Sequence, residues 1–264
     1  MAEPIDILHP SIAEMLKTME SVFRDFGIDF FLVGAVARDI RLAAGEEFKA
    51  LRKTKDVDIA ILLDGEAQFY AIKDALLATG HFEESTYKAI KLIYKNAIEV
   101  DLLPFGEIEN EERELLLSRH TLLVMDMSGF KEVYPFVETL QVAPGLSLNV
   151  CSLEGLVVLK LIANNDNPTR TKDITDIEHF LQVYFDLNSN EIFTEYMDVM
   201  DLYETSIYEY LSLVSARIIG RKMRTMLLNS GDISTLMKTI LAKRQLSTWQ
   251  AMLDGLNEEK AQTK

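Results

Sequence analysis

The run KDVDIAILLDG, residues 55–65, decides how this chain is read. Val57, Ile59, Ala60, Ile61, Leu62 and Leu63 form an apolar stretch of strand length, and Asp64-Gly65 ends it as a turn. Asp56 and Asp58 are two residues apart, so on a strand their side chains share one face. A second apolar run, IEVDLL at 98–103, carries Asp101. If the two strands are neighbours, three carboxylates converge. Like charges held that close repel, so a cation must offset them, and ligands that are all oxygen suit Mg²⁺ or Mn²⁺. An aspartate in a strand also serves at an edge facing water or in a turn, and that reading stands beside the sharper one.

Upstream, FFLVGAVARDI at 30–40 reads as a buried strand, Phe30–Val33, a turn at Gly34 and a helix over 35–44. A glycine at such a junction lets the backbone approach a ligand, and the free N–H groups of the helix that follows suit a phosphate. Residues 45–55 are a polar loop in which Lys49, Arg52, Lys53 and Lys55 make a local basic patch. Thr54 and Lys55 read either as phosphate-holding side chains or as ordinary solvated loop. Helical spacing predicts helices over 11–26 and 66–79, ended by Gly27 and Gly80. Strands are expected over 88–94 and 97–103, joined at Lys95-Asn96 as a hairpin, with Pro104 closing the second. Residues 107–117 read as a short acidic helix, and 137–142 and 146–150 as strands around Pro144-Gly145. From Ser152 to about Leu256 the pattern is helical, with breaks near 164–171, 186–190, 229–232 and 245. The expected organisation is an α/β domain over 1–150 and an all-helical domain over 151–264.

With 264 residues there is ample material for a core, and 48% hydrophobic and 26% charged residues describe an ordinary globular protein. The net charge of −15 makes the chain a poor non-specific binder of nucleic acid. Cys151 is the only cysteine, which excludes an intramolecular disulfide and zinc-cluster patterns and reads as a buried thiol. The four histidines, His9, His81, His120 and His179, are scattered without metal-ligand spacing. MAEPIDILHP lacks the apolar core of a signal peptide and no apolar run reaches membrane-spanning length, so the expected location is cytoplasmic.

In the second half, Lys160 is the only polar side chain between Leu156 and Ala163. A lysine on a helix that apolar on all sides either snorkels to water or meets an anion. Asp173 lies in the first turn of the next helix, where a carboxylate also complements the helix dipole.

Taken together, Gly34-Ala35 with Arg38-Asp39, then Thr54-Lys55-Asp56-Val57-Asp58, then Glu99-Val100-Asp101, resemble the signature of the nucleotidyltransferase superfamily of the DNA polymerase β type. That signature is a G-[GS] turn, a D-h-[DE] strand and a later strand with a single carboxylate. Leu159-Lys160-Leu161 followed by Thr171-Lys172-Asp173-Ile174-Thr175-Asp176-Ile177 is similar to the AbiEii-type branch, nucleotidyltransferase-like toxins of toxin–antitoxin and abortive-infection systems. The resemblance spans most of residues 28–185. Ala35 stands where the superfamily has its second Gly or Ser. The segment FLVGAVARDI…KDVDIAI also resembles the head of tRNA nucleotidyltransferases and poly(A) polymerases, without their downstream arginine-rich motif.

The resemblance implies an α/β (α+β) nucleotidyltransferase core with a mixed sheet, followed by helices. It implies transfer of a nucleoside monophosphate from an NTP to an acceptor hydroxyl on RNA, tRNA or protein. Asp56, Asp58 and Asp101 would be catalytic and would hold two Mg²⁺ ions, with Mn²⁺ as a substitute. Gly34 and Ala35 would place the triphosphate, with Arg38, Thr54 and Lys55 assisting. Lys160 would neutralise phosphate charge and Asp173 would orient Lys160 or the acceptor. A toxin role adds an antitoxin partner. Two alternatives stay open: a small-molecule, antibiotic-type nucleotidyltransferase whose cationic acceptor would meet Glu195, Asp198, Asp201 and Glu204, and a non-catalytic nucleotide-binding module.

Overall fold

The computed structural model describes residues 8–43, 56–85, 88–119 and 122–258. These fall into two compact units, residues 8–43 with 56–152, and residues 153–258.

The first unit runs α1 (Pro10–Phe26), β1 (Phe30–Val33), α2 (Gly34–Ala43), β2 (Asp56–Leu63), α3 (Glu66–Ala78), β3 (Phe82–Glu84), β4 (Lys91–Tyr94), β5 (Ile98–Gly106), β6 (Glu114–Leu117), β7 (Leu123–Asp126), α4 (Phe130–Val133), a 3₁₀ turn (Tyr134–Phe136), β8 (Glu138–Ala143) and β9 (Leu146–Val150). Seven strands form one mixed sheet in the order β3-β4-β5-β2-β1-β9-β8. β2 lies between antiparallel β1 and parallel β5. Its Val57, Ile59, Ala60, Ile61 and Leu63 are buried, because both faces of a central strand are covered. α1 buries Met15, Leu16, Met19 and Phe23, and Gly27 ends it in the left-handed conformation at φ 63°. Cys151 is buried, and its carbonyl accepts from Arg41.

Three expectations for this unit need correction. Residues 107–117 do not form a helix. Glu109 accepts from the Gly106 N–H at 2.8 Å, Asn110 accepts from the Glu114 N–H at 2.7 Å, and Arg113 takes φ 63°. These side-chain bonds give the backbone turns in place of a helix. Glu114–Leu117 then pairs with Leu123–Asp126 as a two-stranded sheet, with Leu115 and Leu117 buried and Leu116 exposed. Pro104 does not close β5, which continues to Gly106. Leu102 donates to Ile90 on the β4 side, so the N–H that Pro104 lacks would point the same way, beyond the last paired residue of β4. The strand expected over 88–94 is confined to Lys91–Tyr94.

The second unit is helical: α5 (Leu153–Asp166), α6 (Thr171–Leu187), α7 (Ser189–Glu195), α8 (Met197–Met200), α9 (Tyr210–Met226), α10 (Gly231–Ala242) and α11 (Ser247–Asn257). The interruption between α8 and α9 was not foreseen. α9 and α11 approach backbone to backbone through Gly220 and Gly255. A Cβ on Gly220 would lie 2.1 Å from the Met252 carbonyl oxygen, and one on Gly255 would lie 2.2 Å from that of Arg217. None of the described helices is long and apolar enough to cross a membrane.

Candidate active site

Register sets the geometry. Along one row across the sheet, Val33 of β1 pairs with Asp58 of β2, Asp58 with Asp101 of β5, and Asp101 with Lys91 of β4. One pleat earlier, Asp56 pairs with Glu99. Residues two apart on a strand share a face, so Asp56, Asp58, Glu99, Asp101 and Lys91 all project from the same side. The parallel β2–β5 ladder is what brings the D-x-D strand beside the single-carboxylate strand.

Gly34, immediately after Val33, touches this row. It sits at φ 63°, and a Cβ built on it would lie 2.0 Å from Asp58 Oδ2. The glycine is therefore required twice: by the left-handed backbone and by the carboxylate lying against its Cα. Ala35 follows in the first turn of α2. Arg38 is fully buried, and its guanidinium donates to Asp39 Oδ1, from Nε at 2.8 Å and from Nη2 at 2.6 Å. Thr54 and Lys55, with the basic stretch before them, lie outside the described residues.

Lys91 and Glu99 were not among the expected site residues. The Lys91 ammonium donates to Glu99 Oε2 and lies 3.3 Å from Asp101 Oδ1. The second contact is an ion pair by distance but lacks hydrogen-bond direction, so Asp101 Oδ1 is buried and accepts no hydrogen bond. Burial works to lower the Lys91 pKa, but the Glu99 hydrogen bond and the Asp101 charge outweigh it and leave it raised. The same hydrogen bond holds the Glu99 carboxyl below its ordinary value.

The expected convergence of three carboxylates on a metal is not met by the side chains as they stand: among the described residues no group of three or more His, Cys, Asp or Glu could hold an ion. Asp101 is engaged by Lys91. The donor chemistry nevertheless fits a hard divalent cation. The first groups are all carboxylate oxygens, and one of them is buried without a hydrogen bond.

Lys160 and Asp173 belong to the second unit and meet there. Lys160 Nζ donates to Asp173 Oδ1 at 3.0 Å and to Asp176 Oδ2 at 2.8 Å, and all three residues are buried. Of the two sequence readings for Lys160, a carboxylate partner is the one observed. Asp173 is further tied to Arg170 at 2.7 Å. Asp176 was missed as a partner, although a carboxylate three residues after Asp173 on a helix falls on the same face. Of the acidic residues considered for a cationic acceptor, Asp198 pairs with Arg221.

A family model described as "Nucleotidyl transferase AbiEii toxin, Type IV TA system" matches residues 17–262. No curated protein matches the chain. Among solved structures, the antibiotic-resistance factor ANT(2'')-Ia is similar at 12% identity and TM-score 0.42, over 83% of this chain and 96% of that one. An antigenic nucleotidyltransferase-like protein from Paracoccidioides brasiliensis is similar at 14% identity and TM-score 0.39, over 83% and 90%. A CCA-adding enzyme in its apo form II is similar at 13% identity and TM-score 0.35, over 97% and 70%.

Proposed function

The chain belongs to the AbiEii nucleotidyltransferase family, and from that premise we propose that it moves a nucleoside monophosphate from an NTP to an acceptor hydroxyl on RNA, tRNA or protein, with Mg²⁺ required. The observation that carries the reading is the register of Asp58 beside Asp101, with Gly34 packed on Asp58. The α/β unit up to about residue 150 would carry the chemistry and the helical remainder would support it.

In this reading the acceptor oxygen forms a bond to the α-phosphorus and the bond to pyrophosphate breaks. Gly34 and Ala35 bring the start of α2, with its free N–H groups, against the triphosphate. Thr54 and Lys55 would assist. Arg38, buried behind this junction, orders α2. Asp101 Oδ1, buried and accepting no hydrogen bond, orients the acceptor hydroxyl and takes its proton. Asp56, Asp58 and Asp101 would hold two Mg²⁺ ions, or Mn²⁺ in their place. Bound there, the ions would offset charge on the attacking and leaving oxygens. Lys160, held by Asp173 and Asp176, is a buried ion-pair centre of the helical unit. The family description supports a toxin countered by an antitoxin, and the proposal places its action in the cytoplasm.

The test is to incubate the protein with each α-³²P-labelled NTP, Mg²⁺ and either total RNA or total protein, beside an Asp56→Asn/Asp58→Asn double variant. Label in one fraction, from the wild type only, identifies the base and the acceptor class. Label in neither fraction, with NTP binding retained, rejects a macromolecular acceptor.

A further inference from the structure

Resting on that reading of Asp58 and Asp101, we propose that Lys91 is a tethered cation that competes with a divalent ion at Asp101, and that Glu99 is the residue onto which it withdraws. The arrangement has three parts. Lys91 faces Asp101 directly across β4 and β5, so its position is set by backbone pairing. Its side chain is 16% exposed and its ammonium touches two carboxylates, Asp101 in the row of the proposed site and Glu99 toward solvent, 52% exposed. The Glu99 contact is a directed hydrogen bond, whereas the Asp101 contact is an ion pair without one. Lys91 thus has a second carboxylate to hold, beside the Asp58–Asp101 row.

A lysine is a compact charge on a flexible four-carbon stem, so a small rotation moves the ammonium off Asp101 without breaking its bond to Glu99. While it remains, one positive charge stands next to the oxygen that a metal would use, and a divalent ion must enter against it. Lys91 is therefore a positioning residue. It stands at Asp101 in the absence of metal and sets the metal concentration at which the site fills. Glu99 stands opposite Asp56 and not in the Asp58–Asp101 row, and the role assigned to it here is the one it exerts through Lys91.

The experiment measures Mn²⁺ affinity by electron paramagnetic resonance on the full chain without nucleotide. Lys91→Met should tighten Mn²⁺ binding roughly tenfold, from removal of one nearby like charge, and Lys91→Arg should stay near wild type. Glu99→Gln, at a position 52% exposed, should weaken binding several-fold by leaving Lys91 on Asp101, with the thermal unfolding curve checked beside it. In the Lys91→Met background the same Glu99→Gln change should have no effect, which separates action through Lys91 from simple loss of a negative charge. Unchanged or weaker binding in Lys91→Met, or an equal Glu99→Gln effect in both backgrounds, overturns the inference. Asp101→Asn tests the premise separately: Mn²⁺ binding that survives it intact overturns the reading of the site itself.

Discussion

Gly34→Ala isolates the contact on which the proposed site depends. The added methyl would sit 2.0 Å from Asp58 Oδ2, against an ordinary contact of 3.4 Å or more, so the carboxylate must retreat by about 1.4 Å or the β1–α2 turn must open. The φ of 63° adds about 1–2 kcal/mol for any residue with a Cβ. The clash itself is with the end of a side chain, so the stability cost should stay near that range, a fall in Tm of roughly 2–8 °C. Activity should fall much further, because displacing a reacting group by about 1 Å costs on the order of 10²-fold. The assay pairs initial rates of labelled NMP transfer with thermal unfolding by circular dichroism. A variant as active as wild type would refute the argument that the glycine exists to seat Asp58. So would an activity loss fully explained by unfolding at the assay temperature.

Gly220→Ala and Gly255→Ala should each destabilise the α9–α11 pair by about 1–3 kcal/mol, since their neighbours are backbone carbonyls that cannot rotate away; urea midpoints check this. Lys160→Met leaves Asp173 and Asp176 buried without their ammonium and should cost about 3–5 kcal/mol in urea unfolding. Glu154, Tyr184 and Lys222 predict a two-sided pH dependence. Burial works against the Lys222 charge, but Glu154 and Glu191 push its pKa up to about 12, so its contribution is complete below the unfolded value of 10.5 and is lost as pH rises through about 12. Burial raises the Glu154 pKa, but the Lys222 charge and the Tyr184 hydrogen bond outweigh it and leave it lowered. Its contribution is therefore present above 4.5 and lost as the pH falls through the depressed value. Unfolding followed across pH should lose the alkaline slope in Lys222→Met.

The centre of the first unit was legible because its signals are local. Phe30–Val33, Gly34 and the helix after it announce themselves by composition, and the two-residue spacing of Asp56 and Asp58 survives any choice of neighbour. The role of Lys91 was not legible, because it depends on register. A two-residue loop at Lys95-Asn96 would pair Tyr94 with Ala97 and place Lys91 opposite Val100. Both loop residues do take positive φ, 44° and 55°, and Ala97 does donate to Tyr94, yet the ladder that follows pairs Tyr94 with Ile98. That offset of one residue turns Lys91 to the Asp101 face. The acidic stretch 107–117 misled for a different reason. Three consecutive leucines, Leu115–Leu117, conceal the alternation that the structure shows, and the turn-forming bonds of Glu109 and Asn110 carry no periodic signal. The partnership of Lys160 with Asp173 and Asp176 could be read only as a need for an anion, since the crossing of α5 and α6 is a matter of tertiary packing.

The central claim is that Asp58 and Asp101 act together in nucleotidyl transfer. Asp58→Asn keeps the side chain's volume against Gly34 and removes only its charge. With the acceptor identified, single-turnover transfer from labelled NTP should fall by about 10²–10³-fold or more in this variant, while the thermal unfolding curve stays within a few degrees of wild type. Transfer within a few-fold of wild type would contradict the assignment of this carboxylate row as the site of chemistry.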